Sequence, residues 1–207
     1  GDEGSWVANL GYEEATDILA YCCREASDKK GIDIKLGLDF ASSELYNKGK
    51  YWYRGKSFTK EEHLALALKL VDKYNIFYLE DPFEENDFES FAKLTSQIGD
   101  KCLVVGDDLF ATNSKRLLKG ISLNSCNAIL IKPNQIGTVT EAYNTLSLAH
   151  NNKLTTIVSH RSGETTEEIL AHLAVGFGSK FIKAGIAGGE RLAKLNELIR
   201  IEEDLKK

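Results

Sequence analysis

The sequence of 207 residues contains no methionine. It opens on Gly1-Asp2-Glu3-Gly4, a polar glycine turn rather than the start of an element. A processed terminus would account for the missing methionine, and a chain cut from a longer protein would account for both features. No apolar run approaches the roughly 20 residues that cross a bilayer, and no basic-then-apolar leader stands at the start, so neither a membrane span nor a secretory signal is expected. An excess of basic residues is also lacking. Lys and Arg total 26 against 31 Asp and Glu, a net charge of −5, which argues against nucleic acid or an anionic membrane surface as partner. The four cysteines, Cys22, Cys23, Cys102 and Cys126, have neither zinc nor redox spacing. Free thiols in a reducing cytoplasm are expected.

What is present is a repeat. Apolar residues make up 43% of the chain, enough for a substantial core. Six short apolar runs each close on a polar or charged residue: Ile34 to Asp39, Ile76 to Glu80, Leu103 to Asp107, Ala128 to Lys132, Thr156 to His160 and Phe181 to Lys183. None alternates cleanly, as expected of parallel strands covered on both faces. By subtraction their terminal residues are 41, 27, 25, 28 and 23 apart, the spacing of successive βα units. Helical patterns lie between them. Ala15, Ile18, Leu19, Cys22, Cys23 and Ala26 form one apolar stripe, and Phe88, Phe91, Ala92, Thr95 and Ile98 another. Thr59 with Glu62, and Thr138 with Glu141, read as capping boxes. A last helix is expected near Arg191 to Leu205.

The run-ending residues are Asp39, Glu80, Asp107, Lys132, His160 and Lys183. In a (β/α) barrel every strand's carboxyl end opens at one mouth, whereas in an open sheet the ends spread along a line, so six such groups favour the barrel. A complete barrel has eight strands, so a part of the wall is expected to be missing. Three carboxylates from neighbouring strands offer the hard oxygen ligands that Mg²⁺ takes. Strand alternation lets only one of Asp107 and Asp108 face inward. Lys132 and Lys183 end otherwise apolar strands, where lysine has a partner or a task, and a lysine near other cations can serve as a base. His63, His150 and His172 fall in or beside helical patterns and read as surface or packing residues. His160 is followed by Arg161, Ser162 and Gly163, with a helix start expected near Thr165, a corner suited to phosphate.

These runs sit inside longer motifs: Leu38-Asp39-Phe40-Ala41-Ser42-Ser43-Glu44, Glu80-Asp81-Pro82-Phe83, Gly106-Asp107-Asp108-Leu109, Lys132-Pro133-Asn134-Gln135-Ile136-Gly137-Thr138, Ser159-His160-Arg161-Ser162-Gly163-Glu164-Thr165 and Glu190-Arg191-Leu192-Ala193-Lys194-Leu195-Asn196. With Gly1-Asp2-Glu3-Gly4 ahead of them, they resemble, in family order and from end to end, the C-terminal barrel of the enolase family. Ser5-Trp6-Val7-Ala8 and Lys183-Ala184-Gly185-Ile186 depart from the commonest bacterial and eukaryotic versions and hint at an archaeal type.

The resemblance implies an α/β fold, a (β/α) barrel of the enolase type holding only its last six βα units, with residues 1–207 a catalytic domain truncated on its N-terminal side. It implies a magnesium-dependent lyase interconverting 2-phosphoglycerate and phosphoenolpyruvate plus water, cytoplasmic, and a homodimer or higher homo-oligomer when complete. By residue, it implies that Asp39, Glu80 and Asp107 bind the first Mg²⁺, that Lys132 is the base and Glu3 the acid, and that His160, Arg161, Ser162 and Lys183 hold the substrate's phosphate and carboxylate. The 207 residues alone are expected to have little activity. Two other readings are a racemase or cycloisomerase of the same superfamily, against which the corner at His160 to Ser162 argues, and a surface role in plasminogen binding through Lys206-Lys207.

Overall fold

A computed structural model describes residues 1–207, the side chain of Asp2 excepted. In chain order the elements are α1 (Tyr12–Lys30), β1 (Gly37–Asp39), α2 (Ser42–Leu45), β2 (Tyr46–Asn47), β3 (Lys50–Tyr53), β4 (Lys56–Phe58), α3 (Lys60–Tyr74), β5 (Tyr78–Glu80) and α4 (Phe88–Ile98). There follow β6 (Leu103–Gly106), α5 (Ser114–Leu123), β7 (Ala128–Ile131), α6 (Pro133–Ile136), α7 (Val139–Asn151), β8 (Thr155–Ser159), α8 (Ile169–Gly176), β9 (Phe181–Lys183) and α9 (Gly189–Leu205). They fall into two compact units. One comprises Ala8–Phe110 and Leu118–Asn127, the other Gly1–Val7, Ala111–Leu117 and Ala128–Lys207.

In the first unit β1, β5 and β6 run parallel, with Asp39 opposite Glu80 and Glu80 opposite Val105. Leu79, Val104 and Val105 are fully buried, and α4 packs against β6 with Phe88, Phe91, Leu94 and Ile98 buried on its apolar stripe. Each such side chain contributes about 1.5–3 kcal/mol of burial. Asn127 pins the start of β6: its side-chain oxygen accepts from Val104 N–H while its amide donates to Gly99 and Cys102 carbonyls. The Thr59–Glu62 capping box opens α3 with both reciprocal bonds made. The long first repeat has a local cause, since it also holds the antiparallel strands β2, β3 and β4.

His63, on α3, is a packing residue. Its ring stacks on Tyr51 at 3.9 Å between centroids, and Nε2 meets the Tyr53 hydroxyl at 2.7 Å. Burial lowers its pKa to about 4.

Two expectations change in this unit. The run beginning at Ile34 forms strand only from Gly37 onward, and Ile34 is exposed. Among the described residues β1 has a strand neighbour, β5, on one side only. The Leu36 carbonyl still accepts from Phe77 N–H, but Ile34 N–H is drawn off to the Ser27 hydroxyl. The apolar stripe of α1 also faces outward, with Ile18 50% and Leu19 44% exposed, while Thr16 and Ala20 are buried. The helix turns a polar side to α3 instead: Glu13 pairs with Lys69, and Asp17 with Lys73 and the Tyr74 hydroxyl.

In the second unit β7, β8 and β9 are parallel, with Ile131 opposite Val158 and Ser159 opposite Lys183. All of β7 is buried. Thr138 caps α7 by accepting from Glu141 N–H, but its hydroxyl also bonds the Glu141 carboxylate, so the second capping box closes through side chains. The four cysteines are free thiols, Cys102 and Cys126 buried. Among the described residues no helix is long and apolar enough to cross a membrane.

Candidate active site

Each of the six parallel strands ends at, or one residue before, a residue singled out from the sequence. Asp39, Glu80 and Lys183 close β1, β5 and β9, while Asp107, Lys132 and His160 directly follow β6, β7 and β8.

The three carboxylates belong to the first unit. Partners across parallel strands share a face, as do residues two apart along one strand. That relation links Asp39, Glu80 and Val105, and Asp107 lies two residues beyond Val105. Glu80 is fully buried and Asp107 is 7% exposed, whereas Asp39 is open to solvent. Tyr78, on the same face, donates its hydroxyl to Glu80 at 2.5 Å. Burial first, then the charges of Glu80, Asp39 and Asp107, push that hydroxyl's pKa up, so one phenol senses all three carboxylates. Gly37, opposite Tyr78, leaves room for it, since a Cβ there would lie 3.2 Å from Tyr78 Cβ.

Sequence reasoning assigned no role to Asp81. It adopts a left-handed backbone (φ 40°) and is buried. Its two carboxylate oxygens accept the N–H groups of Asp107 and Asp108 at 3.0 and 2.7 Å, so Asp81 fixes the turn that aims Asp107. Burial drives its carboxyl well above the usual range, the Asp108 and Asp107 N–H groups opposing and the charges of both aspartates adding. One oxygen each from Asp81, Asp107 and Asp108 come within 4.8 Å of one another. The signal for Asp81 was its place in Glu80-Asp81-Pro82-Phe83.

The remaining sequence-assigned residues belong to the second unit. Lys132 caps the short helix α6. Its backbone N–H donates to the Thr112 hydroxyl at 2.9 Å, and that hydroxyl lies 3.3 Å from Gln135 Oε1. Thr112 is fully buried in a left-handed conformation (φ 54°), and its carbonyl accepts from the Thr145 hydroxyl.

His160 is buried after β8, its N–H bonded to the Lys183 carbonyl. Nε2 lies 3.4 Å from Glu3 Oε2, and Ser162 Oγ donates to Glu3 Oε1 at 3.2 Å. Glu3 is therefore brought to the histidine corner from 159 residues away in sequence. It sits in a single turn, Asp2–Gly4. Gly4 is required there, because its φ is +67° and a Cβ would lie 2.1 Å from the Ala187 carbonyl oxygen. Arg161 reaches Asn134 at 3.3 Å.

The helix expected near Thr165 begins only at Ile169. Glu164 accepts the N–H groups of Arg161 and Thr165, and Lys194 Nζ donates to the Thr165 carbonyl from α9, so side-chain bonds take up these backbone groups in place of helical ones. Lys194, 1% exposed, also pairs with Glu164. Burial alone would raise the Glu164 carboxyl, but the Thr165 N–H, Lys194 and the Arg161 N–H together hold it below its usual value.

Arg191 is the second buried cation on α9, bonded to the His160 ring and to the Arg161 and Ser162 carbonyls. The His160 pKa is lowered by burial first. Glu3 opposes the shift, Arg191 and Lys183 reinforce it, and Glu164 opposes it. Neither Arg191 nor Lys194 was given a role from the sequence, although both stand in Glu190-Arg191-Leu192-Ala193-Lys194. Lys206 and Lys207, just past the end of α9, are exposed and pair with Glu202 and Asp204 of that helix.

One unit thus offers hard oxygen donors at strand ends, and the other offers amines, a guanidinium, an imidazole and a carboxylate. Over residues 1–207 the chain matches the family described as Enolase, C-terminal TIM barrel domain. An enolase of Methanosphaera stadtmanae is 56% identical across 99% of this chain and 50% of its own length. An enolase of Methanocorpusculum labreanum is 50% identical across 98% of this chain and 52% of its own. For an enolase of Archaeoglobus fulgidus the values are 47%, 98% and 50%. The chain spans about half the length of the curated relatives it matches.

Proposed function

Because the chain belongs to the enolase family, we propose that it is the C-terminal catalytic part of a magnesium-dependent lyase that interconverts 2-phosphoglycerate and phosphoenolpyruvate plus water. The observation that carries this reading is the coincidence of six parallel strand ends with Asp39, Glu80, Asp107, Lys132, His160 and Lys183, within a chain matched throughout by that family. The protein is cytoplasmic and homo-oligomeric in this reading.

The donor set suits Mg²⁺. Asp39, Glu80 and Asp107 are hard oxygen ligands, and Tyr78 feels the charge of all three. Bound there, Mg²⁺ would offset the second negative charge that forms on the substrate's carboxylate group when its neighbouring proton leaves. Lys132 takes that proton from C2. Glu3 supplies a proton to the 3-hydroxyl, so that C2 loses H⁺, C3 loses hydroxide and one water departs. Arg161 pairs with the phosphate, Ser162 and His160 donate to the substrate's oxygens, and Lys183 adds positive charge. Thr112, Asp81, Arg191 and Lys194 position these groups.

The isolated 207 residues have little turnover in this reading, since β1 and β9 each have a strand neighbour on one side only among the described residues. The test is an assay of the complete protein with 2-phosphoglycerate against non-phosphorylated 2-hydroxy acids, with Mg²⁺ and with chelator. Turnover confined to 2-phosphoglycerate and lost on chelation is expected. Turnover of the non-phosphorylated acids instead would mean a racemase-type or cycloisomerase-type enzyme.

A further inference from the structure

Arg191 lies at the start of α9 and is 1% exposed. Its Nη1 is 2.9 Å from His160 Nδ1 and 2.8 Å from the Arg161 carbonyl oxygen, and Nη2 is 2.9 Å from that of Ser162. A guanidinium has five N–H donors, no acceptor, and stays protonated in folded proteins. The contact with the ring therefore has one polarity: Arg191 donates, and Nδ1 accepts and carries no proton. The proton of the neutral imidazole is left on Nε2, the atom 3.4 Å from Glu3 Oε2. A second proton on the ring would set N–H against N–H between two buried side chains.

We propose that Arg191 is a positioning residue that holds His160 as the neutral Nε2–H tautomer, a fixed single donor directed to the side where Glu3 lies. The charged and titratable groups around the ring divide. Glu3 and Glu164 favour an imidazolium, while Arg191 and Lys183 oppose it. Removing the arginine therefore takes away both the acceptor requirement at Nδ1 and the nearest opposing charge. His160 accordingly adds direction rather than positive charge to a bound anion, and the cations there are Arg161 and Lys183. The same guanidinium fixes the Arg161 and Ser162 carbonyls, so one buried group sets both the ring's proton and the backbone of the corner. The tautomer does not depend on the reaction, but the use of its donor toward substrate rests on the function proposed above.

The test is the pair of ring ¹⁵N resonances of His160 in the full chain, assigned by their loss in His160→Gln and followed from alkaline pH down past about 6.5, the ordinary histidine pKa. Nε2 protonated and Nδ1 unprotonated, both unmoved through that range, is expected. In Arg191→Met the two should shift toward tautomer averaging and titrate. A protonated Nδ1, averaged resonances, or imidazolium forming near pH 6.5 in the wild type overturns the proposal. So does an unchanged tautomer in folded Arg191→Met. If that variant loses its dispersed amide spectrum, the wild-type titration decides alone. A pinned tautomer in a protein inactive on 2-phosphoglycerate would uphold this inference and defeat the proposed function, and the converse result would do the opposite.

Discussion

The backbone N–H of Lys132 donates to the hydroxyl of Thr112 at 2.9 Å, tying the residue that follows β7 to a buried threonine held at φ 54°. A β-branched residue in that conformation is unusual. Thr112→Val removes the acceptor while keeping the shape, and should destabilise the chain by about 1–3 kcal/mol, because a partly buried N–H loses its bond to the hydroxyl. Thr112→Ser keeps the hydroxyl and should cost well under half of that. Denaturant midpoints of the two variants check the claim, and equal losses would refer the effect to the methyl group.

His63 gives the stability of the first unit a pH dependence. Its pKa is lowered to about 4 in the folded chain, against about 6.5 when unfolded. The unfolded chain thus binds a proton first as pH falls. Stability is fully present above about pH 6.5 and is lost progressively toward pH 4, roughly 3 kcal/mol in all at about 1.4 kcal/mol per unit. His63→Phe should remove this contribution from a plot of unfolding free energy against pH. A slope between pH 6.5 and 4 that is the same with and without His63 would refute it.

The carboxylates should separate by role. In the complete protein, Asp39→Ala, Glu80→Ala and Asp107→Ala should each weaken Mg²⁺ binding in a calorimetric titration, because Mg²⁺ tolerates poor geometry badly. Asp108→Ala should weaken it much less, since Asp108 lies in the turn after β6 and outside the register that links Asp39 and Glu80. Comparable losses for Asp107 and Asp108 would mean that the register is misread.

The exposed stripe of α1 predicts a contrast. Ile18→Ser should change the stability of the 207-residue chain by no more than about 0.5 kcal/mol. Leu70→Ala, at a 2% exposed position of α3, should cost about 2–5 kcal/mol. A loss for Ile18→Ser as large as that for Leu70→Ala would show that the stripe is buried in solution.

The strand ends were legible because each apolar run stops where a chemically active residue begins, a feature of local composition. The beginnings were not. Ile34 is apolar, yet it stays out of β1 because strand pairing rather than composition decides where extension starts. The stripe of α1 was read correctly as a stripe, but a helical pattern states which residues share a face and not what covers it. Glu3 reached the site through its motif alone, as its partners His160 and Ser162 lie at the far end of the chain. Asp81, Thr112, Arg191 and Lys194 were missed for one physical reason. Their work is done through buried contacts with residues 20–30 positions away, and no local pattern marks such a partner.

The proposed chemistry is tested most directly by exchange of the C2 proton of 2-phosphoglycerate with solvent deuterium, measured beside dehydration in the complete protein. Lys132→Ala should abolish both, because the base is gone. Glu3→Gln should lose dehydration while C2 exchange continues, because proton removal precedes departure of the hydroxyl. Positioned proton transfer contributes about 10²–10⁴-fold, so both losses are large enough to read. Exchange kept in Lys132→Ala and lost in Glu3→Gln would contradict the assignment of base and acid.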